Sequence, residues 1–159
     1  MGIAACDLNQ QVIRPTLLYL DKQSIAAEAL LLGVAACQSS LGAALDNHSG
    51  YGLYRISAYH HQHLWDDHLA GDPELASRVR GLASQHAFLG APHLELTVNL
   101  RYATAIAWLL IESHGKALPI ADDLGAQALI WQQVFAPHRK PDEFVSAWQR
   151  CIFGRSVAA

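Results

Sequence analysis

Charge is what this chain lacks most. Asp, Glu, Lys and Arg make up 16% of its 159 residues, against 52% hydrophobic types. That balance excludes an intrinsically disordered segment, which needs low hydrophobicity and high net charge. Positive charge is sparse and nowhere gathered: 11 Lys and Arg face 14 Asp and Glu, the formal net charge is -3, and no Lys/Arg run occurs. Nucleic-acid affinity rests on clustered positive charge, so no nucleic-acid partner is expected. The three cysteines, Cys6, Cys37 and Cys151, are odd in number and far apart. They exclude a disulfide framework or a cysteine zinc site, and buried reduced thiols are expected instead. The start, MGIAACDLNQQ, has no basic flank followed by a long apolar run. No secretory signal is expected there, and the chain is read as cytoplasmic when synthesised. The longest apolar stretch is interrupted by Glu95, Asn99, Arg101 and Glu112, so no membrane span is expected. Strand alternation is missing as well, apart from YGLYRIS.

What is present reads as successive helices in one domain over 1–159, with residues 1–11 as an N-terminal extension and 154–159 as a tail. The fold class expected is mainly α. Arg14-Pro15 opens PTLLYLD, and Ser24 is the N-cap for IAAEALLLGVAACQSSL, with Gly42 as its stop. That segment is apolar on nearly every face, as a central buried helix is. AALDNHSGYG is rich in turn formers and predicts a tight loop or small hairpin. SAYHHQHLWDDHL is read as a helix capped by Ser57, and Asp72-Pro73-Glu74 starts another, running to Phe88. Pro92 opens one long helix, HLELTVNLRYATAIAWLLIESHG, closed by Gly115. Asp122 or Asp123 begins DLGAQALIWQQVF, and Pro141-Asp142-Glu143 begins the last helix.

AEALLLGVAACQSSLG, then GYGLYRIS, then NLRYATAIAW resembles the pattern of lytic transglycosylases and goose-type lysozymes. There a helix ends in Glu-Ser and a later turn reads Gly-Leu-Met/Tyr-Gln-Ile. With VIRPTLLYLDKQSIAAEALLLGVAACQSSLG and the Trp65-Asp66 region added, the chain is similar to lysozyme-like proteins of phages and prophages, from Val12 to about Trp148. The resemblance implies a lysozyme-like helical domain with a small loop or hairpin beside a cleft shaped for peptidoglycan or a related glycan. It implies a general-acid glutamate at the position of Gln38, and sugar contacts at Ser39, Ser40, Tyr51, Tyr54, Arg55, Asn99 and Tyr102. No cofactor is implied.

The departures matter as much as the match. A carboxamide has the shape of a carboxylic acid but no acidic proton to deliver at neutral pH. Losing a general acid costs on the order of 100- to 10,000-fold in rate. Glu28 lies ten residues upstream on the same helix, about 15 Å along its axis, and cannot reach. Asp46, in the adjoining loop, is the one weak catalytic candidate, although an exposed aspartate stays ionised and a turn aspartate bonding its own backbone is the plainer reading. Arg55 replaces the glutamine of the family turn, and Phe135-Ala136-Pro137 stands where the family carries Tyr-Asn.

Other constellations are weaker. His60 and His63, or His63 and Asp67, are neighbours on a helix, yet no HExxH accompanies them, and a polar helix face or cleft rim is favoured over a metal site. Ser39 and Ser40 have no Gly-x-Ser-x-Gly elbow to make a nucleophile. Cys37 reads as a small core residue. Tyr51, Tyr54 and Trp65 suit either sugar stacking or core packing. The leading expectation is a catalytically silent or impaired relative that holds a glycan or a protein partner. The alternatives are an active transglycosylase or muramidase using another carboxylate, an enzyme inactivated at Gln38, and a virion component or inhibitor of a bacterial host protein.

Overall fold

The computed structural model describes residues 2–45 and 50–153. The architecture is mainly α, as the composition and periodicity imply; among the described residues the one extended pairing is an antiparallel bridge between Tyr51 and Ile56. Among the described residues ten α-helices follow in order: α1 (Ala5–Leu8), α2 (Arg14–Tyr19), α3 (Ile25–Ser39), α4 (Ala58–His63), α5 (Pro73–Leu82), α6 (Gln85–Gly90), α7 (Glu95–Val98), α8 (Leu100–Ser113), α9 (Leu124–Phe135) and α10 (Pro141–Trp148). π-helical turns at Asn9–Ile13, Leu64–His68 and Gln149–Phe153 extend α1, α4 and α10.

Short polar side chains set the helix starts. Ser24, Ser57, Asp72, Asn99 and Asp123 each accept a hydrogen bond from the backbone N–H three residues on. Each satisfies one of the donors that a helix N-terminus leaves free, a contribution of about 1 kcal/mol. Pro73 and Pro141 begin α5 and α10, where the missing N–H costs nothing.

α3 and α8 form the centre. Leu30, Leu31, Val34 and Ala35 on α3, and Ala103, Ala105, Ile106 and Ala107 on α8, are fully buried. The small residues let other helices come close. A Cβ on Gly33 would lie 2.3 Å from Cζ of Phe144, so α10 can seat its aromatic ring against α3 only over a glycine. The N-terminal segment belongs to the same core: Leu8 and Ile13 are fully buried, and the Ile3 N–H donates to the Leu41 carbonyl at 2.8 Å.

Two expected helices are broken where the sequence reading made them continuous. The helix from Pro73 stops at Leu82 instead of running to Phe88, with Ala83 extended before α6 begins. The helix from Pro92 turns by 108° at Asn99, dividing α7 from α8. One cluster causes both breaks. Asn99 caps α8 through Oδ1, which accepts the Tyr102 N–H at 3.0 Å. Its Nδ2 donates to the Leu82 carbonyl and to Oε1 of Glu95, each at 2.8 Å. The same Glu95 oxygen accepts the Ser84 N–H at 2.7 Å. An asparagine used as a cap and a buried glutamate that collects the freed amides outweigh local helix propensity. Among the described residues no single helix is long and apolar enough to cross a membrane. All three cysteines are free, but Cys6 is exposed, contrary to the expectation of three buried thiols.

The turn over residues 50–56 lies directly on α7. Gly52 has φ +75°, and a Cβ there would fall 1.9 Å from the Leu96 carbonyl oxygen, so both conformation and proximity demand glycine. This contact brings Leu53, Tyr54 and Ile56 into the core beside the end of α3.

Candidate functional site

Gln38 stands in the last turn of α3 and is 6% exposed. Its amide is engaged at both ends. Nε2 donates to the Tyr54 carbonyl at 3.1 Å. Oε1 accepts from the Trp131 indole at 3.3 Å and from Nη1 of Arg139 at 3.2 Å. Indole and guanidinium groups can only donate and a carbonyl can only accept, so the orientation of the amide is determined without ambiguity. Arg139 also lies over the Trp131 ring at 5.0 Å, a cation–π contact, and its Nε donates to Glu143 at 3.3 Å. An acid at this position would meet the Tyr54 carbonyl with one of its two oxygens. It would need its own proton to do so.

The residues that the family pattern assigns to sugar contact divide by depth. Ser39 is buried and donates to the Leu53 carbonyl at 2.7 Å while accepting the Gly42 N–H at 3.0 Å, which fastens the end of α3 to the turn. Tyr54 is fully buried, its hydroxyl 2.8 Å from Oγ1 of Thr104. Tyr102 is also fully buried. Burial drives both tyrosine hydroxyls far above their ordinary pKa, so neither ionises. Asn99 is the cap already described. Ser40, Tyr51 and Arg55 are half-buried, and they stand nearer the surface beside Gln38 and the turn. Ser40 and Arg55 hold left-handed backbone, with φ of 51° and 46°. Arg55 donates to the Ala44 carbonyl at 3.2 Å. Asp46 lies outside the described residues.

The histidine cluster is arranged differently from the His60/His63 pairing considered above. His61 is the buried member, 1% exposed. Its Nε2 is 2.7 Å from the Tyr102 hydroxyl and its Nδ1 is 2.9 Å from Nδ1 of His93. The Trp65 indole donates to the same hydroxyl at 2.9 Å. Because the indole can only donate, the Tyr102 proton is free to go to His61 Nε2. When it does so, the neutral His61 carries its proton on Nδ1, facing Nδ1 of His93. Burial first, and the neighbouring His93 charge second, push the His61 pKa down to about 4, so it is neutral at pH 7. His93 stacks on Tyr51 at 5.8 Å and so links this chain of polar groups to the turn. His60 bonds Oγ of Ser57 at 2.8 Å, and His63 packs on the Tyr59 ring at 3.9 Å. Among the described residues no group of three or more His, Cys, Asp or Glu is placed to hold a metal ion.

Chemically, these groups hold protons in place more readily than they deliver them. Burial pushes the Cys37 thiol up to about 11, outweighing the Arg139 guanidinium beside it, so it supplies no thiolate nucleophile at neutral pH. Glu28 and Glu95 are the buried carboxylates among the described residues. Glu28 is paired with Nε of Arg14 at 2.8 Å and accepts from Gln23 at 2.6 Å. Glu95 is tied to Ser84 and Asn99. Sequence reasoning missed Trp131, Arg139 and the His61–His93 contact, which come from 93, 101 and 32 residues away along the chain. The apolar period of DLGAQALIWQQVF marks Trp131 as a core residue, and nothing local marks its partner. Comparison of the chain with protein-family models, with curated proteins and with solved structures finds no match.

Proposed function

We propose that this chain is a lysozyme-like domain of phage or prophage type that has lost glycan cleavage and serves by binding. The observation that carries this reading is the amide of Gln38, engaged by protein partners at both its nitrogen and its oxygen. The group at the general-acid position has no proton to give, and all of its polar atoms are already committed to Tyr54, Trp131 and Arg139. The buried carboxylates lie elsewhere: Glu28 is paired with Arg14 and Gln23, and Glu95 is held through Oε1 by Ser84 and Asn99. With Tyr54 and Tyr102 fully buried, contact with a glycan strand falls to Tyr51, Arg55, Ser40 and His93 at the rim.

The test is release of soluble fragments from purified peptidoglycan, run beside cosedimentation with intact sacculi. The wild-type protein is expected to sediment with sacculi and to release nothing above a buffer control. Gln38→Glu alone is expected to stay silent, because the new carboxyl meets the same three partners. Fragment release by the wild-type chain that disappears in Asp46→Asn would overturn the reading. Failure to sediment would remove the glycan as ligand and leave a bacterial host protein or virion component as the partner to seek.

A further inference from the structure

A groove of about 640 Å³ opens beside the end of α5, and a second of about 360 Å³ adjoins it. Arg80 and Phe88 line both, so they stand where the two meet. The larger groove is of a size that takes a small ligand. Ala83, Phe88 and Leu89 give it an apolar wall, with Leu89 85% exposed, and Ser77, Gly81 and Gln85 add no charge. Arg80 is the one charged residue on its lining among the described residues.

That cation is held by aromatic rings. Its Cζ lies 5.6 Å from the centre of the Trp65 ring and 5.8 Å from that of Phe88, and the two rings are 5.7 Å apart at 60°, so the three groups are mutual neighbours. The rings are themselves fixed: the Trp65 indole donates to the Tyr102 hydroxyl at 2.9 Å, and Phe88 meets the Tyr102 ring edge-on at 6.2 Å. Among the described residues the Arg80 guanidinium makes no hydrogen bond and pairs with no carboxylate, whereas Arg78 on the same helix is paired with Asp21 and Glu74. Asp66 lines the smaller groove only and is not a partner of Arg80. The last carbonyls of α5 do not engage the guanidinium either, because Asn99 Nδ2 donates to that of Leu82 and the Ala83 N–H to that of Arg80. A guanidinium covered on its face by rings keeps its edge, where its five N–H groups point and where a carboxylate is received by two parallel hydrogen bonds.

We propose that the larger groove binds a small carboxylate that carries an aromatic or branched apolar group. The carboxylate takes the edge of Arg80, and the apolar group covers Phe88 and Leu89 beside Ala83. None of these residues belongs to the Gln38 cluster or to the rim named for a glycan, so the proposal does not depend on the function proposed above.

Side-chain nitrogen resonances give a direct readout. Protein labelled with ¹⁵N is titrated with hydrocinnamate, with the neutral hydrocinnamide and with acetate, at constant ionic strength. Hydrocinnamate is expected to move the Arg80 Nε–H resonance saturably, and the Trp65 indole with it, leaving the indoles of Trp108, Trp131 and Trp148 in place. Hydrocinnamide keeps the apolar group and loses the charge, and is expected to bind about tenfold more weakly. Acetate keeps the charge and loses the apolar group, and is also expected to bind about tenfold more weakly. Arg80→Gln is expected to bring hydrocinnamate down to the affinity of its amide and to leave the amide unchanged. Absence of saturable movement at Arg80 up to concentrations on the order of 10 mM overturns the proposal. So does equal binding of hydrocinnamate and either control, or undiminished binding of hydrocinnamate by Arg80→Gln. The ligand series on the wild-type protein decides the matter even where the variant fails to fold.

Discussion

At the scale of single residues, the side chain of Gln38 ties the end of α3 to the Tyr54 turn and to α9. Gln38 suits its surroundings because a carboxamide offers a donor on one side and an acceptor on the other, matching the Tyr54 carbonyl and the Trp131 and Arg139 donors. Gln38→Ala leaves the Tyr54 carbonyl and the Trp131 indole without partners inside the protein. It is expected to lower the free energy of unfolding by about 3 kcal/mol, read from denaturant midpoints at constant slope. Arg139→Ala removes a more exposed donor and is expected to cost much less. His61 supplies the pH dependence. Its folded pKa of about 4 lies below its ordinary 6.5, so below pH 6.5 the unfolded chain takes up a proton that the folded one refuses. Stability from this group is complete above that value and declines by about 1.4 kcal/mol per pH unit toward pH 4. Urea unfolding at pH 7, 6 and 5 measures the slope. His61→Gln is expected to flatten it, and an unchanged slope would show that other groups carry the effect.

At the level of elements, the breaks are as informative as the helices. The run from Pro92 to Gly115 has the composition of one long helix, and the 108° turn at Asn99 divides it. Asn99→Ala removes the cap of α8 and also the donor to the Leu82 carbonyl and to Glu95. The expected loss is about 2–3 kcal/mol, more than a cap alone accounts for. Amide hydrogen exchange should quicken at residues 100–103, and Asn99→Ser should restore protection there while leaving the Leu82 contact unmade. Four of the five capped starts were legible in the sequence, because Ser24, Ser57, Asp72 and Asp123 bond within three residues of themselves, whereas the cap at Asn99 was hidden inside a run that reads as one helix. The end of α5 was not legible, since the helix stops where the Asn99 side chain, 17 residues on, donates to the Leu82 carbonyl and Glu95 accepts the Ser84 N–H from 11 residues away.

In the whole molecule, the N-terminal residues join one cooperative core instead of trailing from it. Leu8 is fully buried, and Gly2 lies so close to α3 that a Cβ would approach the Ser40 and Leu41 carbonyl oxygens to 2.6 Å. Deleting residues 1–11 is expected to lower the unfolding free energy by at least about 2–3 kcal/mol for Leu8 alone and to reduce the denaturation midpoint without adding a second transition. A deletion variant as stable as the full chain would show that this segment packs without contributing. By itself the sequence determined what short-range physics decides: helical class, the helix starts at Ser24, Ser57, Asp72 and Asp123, and the apolar α3 and α8. Periodicity and capping act over a few residues, so they can be read along the chain. Only the tertiary structure decided that Gln38 meets Trp131 and Arg139, that His61 rather than His60 is buried against Tyr102, and that Glu95 and Asn99 break two helices at one point. Those choices depend on which distant groups can satisfy a buried donor or acceptor, and such pairing is settled only when the helices pack.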